Sequence, residues 1–130
     1  MNTFTGKLPI FLQLKMEIED VILSTNLKAE DPVPSIRTLA AEYSINPLTV
    51  SRTIGELEVE GIIYKKRGIG FFVTDQAFEI IRRKRMAEYF ETEVKSFVQK
   101  AVQLGIKLER IQDLIRETYE EESHGKHHGN

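Results

Sequence analysis

Asn46-Pro47 separates two short amphipathic runs, and this constrains the fold more than any other feature of the sequence. An Asn at a helix N-cap accepts from a free backbone N–H. A Pro at the first helical position has no N–H to leave unpaired, and its φ is already set for the helix. A new helix therefore starts at Pro47. Upstream, VPSIRTLAAEYSI carries Ser35 as an N-cap and places Ile36, Leu39, Ala40 and Tyr43 on one side. Downstream, Val50, Ile54 and Leu57 share one face, whereas Leu48, Ser51, Arg52, Gly55 and Val59 fall on the other. The second of these helices packs with one side and offers the other outward, and Gly61 marks its end.

The flanking segments complete a unit. In PIFLQLKMEIEDVIL, residues 9–23, Ile10, Leu14, Ile18 and Val21 recur at helical spacing, Pro9 suits the opening turn, and the polar run from Ser24 to Asp31 closes the element. After Gly61, the runs IIYKK and FFVT flank a turn holding Gly68 and Gly70, which predicts a β-hairpin. Three helices followed by a hairpin make a winged helix-turn-helix, expected over residues 1–75. From Gln76 a long helical pattern runs through Phe78, Ile81, Met86, Phe90, Val94, Phe97 or Val98, and Ala101. Gly105 then stops it, and Leu108, Ile111, Leu114, Ile115 and Tyr119 define a last helix ending before Ser123. The expected fold is mainly α with a small β-hairpin: a winged helix-turn-helix followed by two C-terminal dimerisation helices over residues 76–122 and a disordered tail over 123–130. Two helices alone leave apolar faces that a single copy covers poorly. Phe78, Ile81, Phe90, Val94, Phe97, Leu108, Ile111 and Ile115 are therefore the expected dimerisation residues of a homodimer.

Composition narrows the function classes. The 130 residues include no cysteine, so thiolate metal sites, disulfides and a cysteine nucleophile are excluded, and the cytoplasm is the expected compartment. No apolar stretch approaches the ~20 residues that span a bilayer, and Met1 is followed by polar Asn-Thr, so neither a membrane partner nor a signal peptide is expected. The net charge is −2, and neither the half before Asp75 nor the half after it carries a basic excess. Affinity for nucleic acid must then come from local placement of cations. No P-loop, Ser-His-Asp set or His-Glu-x-x-His motif occurs, and the three histidines, His124, His127 and His128, lie in the tail. No enzyme, cofactor or metal is expected.

Arg37 falls in the first turn of the second helix, where the helix dipole disfavours a cation unless an anion is near. A DNA phosphate supplies that anion, and so does an intramolecular partner such as Glu42. Asn46, Leu48, Thr49, Ser51 and Arg52 surround the start of the third helix, the end that enters a major groove in helix-turn-helix proteins. Arg52 suits guanine O6 and N7, or alternatively an i,i+4 pair with Glu56; Asn46 is a cap, a contact, or both. Lys65, Lys66 and Arg67 precede the Gly68-Ile69-Gly70 tip, where a basic hairpin can follow a nucleic-acid backbone. Arg82-Arg83-Lys84-Arg85 reads as a solvated helix face offset by Glu88, Glu91 and Glu93.

These residues carry a resemblance. Pro9 to Gln13, the Pro-Ser-x-Arg-x-Leu-Ala segment from Pro34 to Ala40, Thr49-Val50 with Leu57 and Gly61, and Gly68 to Val73 together resemble the DNA-binding domain of bacterial GntR-family transcription regulators. Val33 stands where Leu is usual, and Ile69 and Phe71 stand at wing positions that are often Lys and Thr. The resemblance implies that Arg37, beside the Ser35 cap, grips phosphate. It also implies that Asn46, Leu48, Thr49 and Ser51 lie at the major groove and that Arg67 and Gly68 touch DNA from the wing. The short two-helix extension resembles the YtrA subfamily, whose members dimerise through those helices and often repress ABC-transporter operons. The expected partners are therefore double-stranded DNA and a second copy of the chain, with half-sites about one helical turn apart. The competing expectations are a winged-helix module that grips a partner protein and an effector pocket by the terminal helices.

Overall fold

The computed structural model describes residues 8–24 and 30–128, with side chains described as far as Gly125. Its elements in chain order are α1 (Ile10–Ser24), β1 (Pro32–Val33), α2 (Ile36–Tyr43), α3 (Pro47–Val59), β2 (Ile63–Lys66), β3 (Gly70–Val73), α4 (Ala77–Tyr89), a π-helical stretch (Phe90–Val94), α5 (Lys95–Gln103) and α6 (Leu108–His128). The chain divides into two compact units, Met1–Met86 and Ala87–Asn130. The polar run expected to close α1 lies largely outside the described residues.

The first unit is a winged helix-turn-helix. Leu14, Ile18 and Ile22 of α1, Leu39 and Ala40 of α2, and Val50, Ile54 and Leu57 of α3 form one core with Ile62, Ile63, Val73, Ala77 and Ile81. Each fully buried Leu or Ile in that set contributes about 1.5–3 kcal/mol. On α1 the buried stripe follows strict i,i+4 spacing, so Ile22 packs inward while Ile10 and Val21 remain exposed. Leu14 and Ile18 are buried as the helical spacing predicts, and the departure is at the two ends, where Ile10 is exposed and Ile22 replaces Val21. The hairpin is present in the register Ile63↔Val73 to Lys66↔Gly70. It is also part of a larger sheet: β1 pairs antiparallel with β3, Pro32↔Phe72 and Val33↔Phe71, giving the order β1-β3-β2. A two-residue strand has no periodicity to read, which is why the expectation stopped at a hairpin.

The first turns of α4 belong to this unit rather than beginning a separate region at Gln76. Ile81, expected on the dimerisation face, is 0% exposed in the winged-helix core and is unavailable to a partner. The basic run divides: Arg82 and Arg83 lie on the expected exposed helix face, whereas Lys84 and Arg85 are half-buried. Arg82 Nη2 and Arg83 Nε lie 2.6 and 3.1 Å from Glu79 Oε1, while Lys84 and Arg85 turn back onto α1.

In the second unit, Ala101 is the one buried residue among the described residues. Phe90 and Leu108 are 59% and 63% exposed, Phe97 and Ile115 are also exposed, and Val94 and Ile111 are half-buried. The π-helical stretch has Thr92 Oγ1 donating to the Glu88 carbonyl at 2.8 Å. Contrary to the expected stop before Ser123, α6 continues to His128. A lone Gly125 costs a helix about 1 kcal/mol relative to Ala, too little to end it when no proline follows.

Candidate nucleic-acid interface

The turn between α2 and α3 is built by local caps. Ser35 Oγ accepts from the Thr38 N–H at 3.1 Å and lies 2.9 Å from Thr38 Oγ1, which fixes the start of α2. Arg37 follows two residues later, exposed, with no ion pair to any described carboxylate, Glu42 included. It stands where the first-turn N–H groups lack intrahelical partners, so a cation and the positive end of a helix dipole are left facing outward together. At the other end of α2, Ser44 takes the left-handed conformation with φ 54°, and the Ile45 N–H returns to the Ala40 carbonyl at 2.9 Å. Asn46 Oδ1 then accepts from the Leu48 N–H at 2.9 Å and Pro47 opens α3. Asn46 is therefore a cap, and only its amide NH2 is left to reach outward.

The division of α3 into two faces is as the periodicity predicts. Val50, Thr53, Ile54 and Leu57 are buried, whereas Leu48, at 79% exposure, Ser51 and Arg52 are exposed; Thr49 is half-buried. Both α2 and β2 pack against α3. Arg52 makes no ion pair with Glu56. Its guanidinium carbon instead lies 3.7 Å from the centre of the Phe11 ring.

The wing presents a bent tip. The Ile69 N–H bonds the Lys66 carbonyl at 2.9 Å, Gly68 has φ 77°, a conformation that costs a side chain about 1–2 kcal/mol, and Ile69 is exposed. Arg67 is exposed and pairs with no described carboxylate. Lys66 is partly committed within the chain. Its Nζ is 3.2 Å from Glu30 Oε2 and 4.5 Å from the centre of the Phe72 ring, and Glu30 also accepts from the Tyr64 hydroxyl. The Tyr64 and Lys66 hydrogen bonds hold the Glu30 carboxyl below its usual value. Lys66 is thus less available to an outside anion than Arg67.

Two partners were not legible in the sequence: Phe11, which lies beneath Arg52, and Glu30, which takes Lys66 from across the sheet. The aromatic at the opening of α1 was the only signal of the first. Among the described residues, no group of three His, Asp or Glu side chains is placed to hold a metal, and no helix is long and apolar enough to cross a membrane.

The profile of the bacterial regulatory proteins of the gntR family matches residues 11–73. The HTH-type transcriptional repressor YtrA of Bacillus subtilis (strain 168) is 32% identical over 118 residues, spanning 91% of this chain and 90% of the relative. The chain belongs to the GntR family. Among solved structures, a transcriptional regulator from Oenococcus oeni covers 91% of this GntR-family chain at 27% identity, with 97% of that chain aligned and a TM-score of 0.74. The DNA-binding domain of AraR in complex with operator ORX1 matches 55% of the chain, and 93% of its own, at 27% identity and a TM-score of 0.52. This GntR-family protein is thus a DNA-binding transcription regulator of the short, YtrA-like kind, and both the winged-helix unit and the short extension are shared with such relatives.

Proposed function

We propose that this GntR-family protein is a homodimeric repressor that binds a palindromic operator, placing one α3 in each of two successive major grooves. The observation that carries the dimer is that the described residues of the second unit bury no core beyond Ala101. A pair of helices with Ala101 alone buried and Phe90, Phe97, Leu108 and Ile115 exposed becomes stable by packing against its like. Phe78, in the first unit near the start of α4, is also exposed and is proposed as a partner contact in its own right. In this reading Ser35 and Arg37 hold phosphate at the α2 N-terminus, and Asn46, Leu48, Thr49, Ser51 and Arg52 meet the groove. Arg67 and Gly68 approach from the wing, with Lys66 secondary because Glu30 already engages it. The neighbouring AraR domain, bound to an operator, supports this use of the fold. Resemblance to the YtrA subfamily supports a transporter operon as the regulated target.

Selection of bound duplexes from a random pool, followed by sedimentation with and without the selected DNA, tests the proposal. The expected result is an inverted repeat with half-sites about 10 base pairs apart, bound by two chains. Affinity is expected to fall at least about tenfold between about 50 and about 200 mM salt through counterion release. A single asymmetric site bound by one chain overturns the dimeric reading. Salt-insensitive binding points instead to a protein-interaction module.

A further inference from the structure

Arg52 is the one described cation on the outward face of α3, and its surroundings are specific. No described carboxylate pairs with it; what holds it is the face of Phe11, 3.7 Å from the guanidinium carbon. Phe11 is itself fixed. It lies in the first turn of α1, whose Leu12 and Gln13 N–H groups bond the Pro9 carbonyl at 3.1 and 3.2 Å, and Leu14 beyond it is fully buried. Its carbonyl is 3.1 Å from Thr53 Oγ1, which is also 3.0 Å from the Thr49 carbonyl, so one buried hydroxyl ties the opening of α1 to the residue after Arg52.

A guanidinium held over an aromatic ring rather than by a carboxylate spends none of its N–H donors on an oxygen acceptor, and a ring anchored at the opening of α1 restricts rotamer freedom that a bare arginine would lose on binding. From this geometry we infer that Phe11 is a positioning residue for DNA recognition, holding the Arg52 fork ready for a pair of acceptors on the duplex. The inference rests on the reading of α3 as the helix that enters the groove. The acceptors share one chemistry and have two sources: O6 and N7 of a guanine, or two oxygens of a phosphate.

The test is a set of anisotropy titrations on the selected operator and its single-base variants at several salt concentrations, using wild type, Phe11→Tyr, Phe11→Leu, Arg52→Ala and the Phe11→Leu/Arg52→Ala double variant. Phe11→Leu is expected to lose about tenfold in affinity, the scale of a bidentate contact, and the double variant to be no weaker than Arg52→Ala alone. Phe11→Tyr keeps the ring and is expected to bind as wild type. If the acceptors are a guanine, the loss appears as a flattened preference at one base pair. If they are a phosphate, preference is kept and the salt slope falls by about one. Phe11→Leu binding like wild type overturns the inference, as do losses that multiply in the double variant. An Arg52→Lys background, which keeps the charge without the planar fork, guards against a folding effect: Phe11→Leu is expected to cost nothing further there, and an added loss also overturns the inference. Wild-type protein that ignores every duplex removes the DNA-binding reading itself, an outcome distinct from all of these.

Discussion

The ammonium of Lys84 on α4 is hydrogen-bonded to the carboxylate of Glu19 on α1, across 65 residues of sequence. Glu19 is 1% exposed and also receives Arg85 Nη2 at 3.2 Å, while Lys84 reaches Glu60 Oε1 at 3.0 Å and Arg85 reaches Asp20 Oδ1 at 2.8 Å. Only Glu19 is fully desolvated, whereas Lys84 and Arg85 are each 28% exposed and keep Glu60 and Asp20 as partners. Losing Glu19 therefore falls short of the ~3 kcal/mol typical of a stranded buried charge and costs about 1–2 kcal/mol. Glu19→Ala is expected to lower unfolding stability by about that amount in urea titrations, with Glu19→Gln losing less because it keeps acceptor capacity.

The same cluster sets a pH dependence. Burial pushes the Glu60 carboxyl upward, but hydrogen bonds from Lys15 and Lys84 outweigh it and leave the group below its ordinary 4.5. A depressed acid stabilises the fold above the unfolded value and loses that contribution as pH falls through the folded one. For Lys84, burial pulls downward and the bonds to Glu19 and Glu60 outweigh it, so the ammonium titrates above its ordinary 10.5. Its contribution is complete below 10.5 and is lost as pH rises through the raised value. Melting temperatures of Glu60→Gln are expected to show a shallower acid limb than wild type, and those of Lys84→Met a shallower alkaline limb.

Gly61, at the end of α3, has φ 80°, and an added Cβ would sit 3.5 Å from Ile80 Cδ1, an ordinary contact. Strain from Gly61→Ala is therefore a backbone effect, expected to cost about 1–2 kcal/mol. A lower denaturation midpoint with unchanged DNA affinity well below it is the expected pairing of results.

Leu48, unburied at the start of α3, has the chemistry to meet a thymine methyl group. Replacing the contacted thymine by deoxyuridine is expected to weaken wild-type binding about fourfold, the worth of about 0.8 kcal/mol for one buried methyl group. Leu48→Ala is expected to bind both duplexes alike, and a methyl effect that persists in this variant would exclude Leu48 as its reader.

The helix-turn-helix was legible because its determinants are local: Ser35, Asn46 and Pro47 act within their own helix turns, and the outward face of α3 follows from period alone. The wing tip was legible for the same reason, through Gly68 and Gly70. Features that depend on distant partners were hidden. Nothing near Arg82 announces that Lys84 and Arg85 will be drawn to a carboxylate on α1, and nothing near Lys66 announces Glu30. Ile81 shows a further limit: helical spacing identifies an apolar face, not whether the chain's own core or a second copy will cover it.

The stack of Arg52 on Phe11 has a consequence for divergence among related regulators. Under the proposed reading of α3, exposed Leu48 and Ser51 can be exchanged without disturbing the residues that hold the helix, so operator preference would drift there through single substitutions. Position 52 lacks that freedom, because its side chain leans on another helix. Lineages that abandon the arginine release the constraint on an aromatic at position 11, and the two sites are expected to change in step.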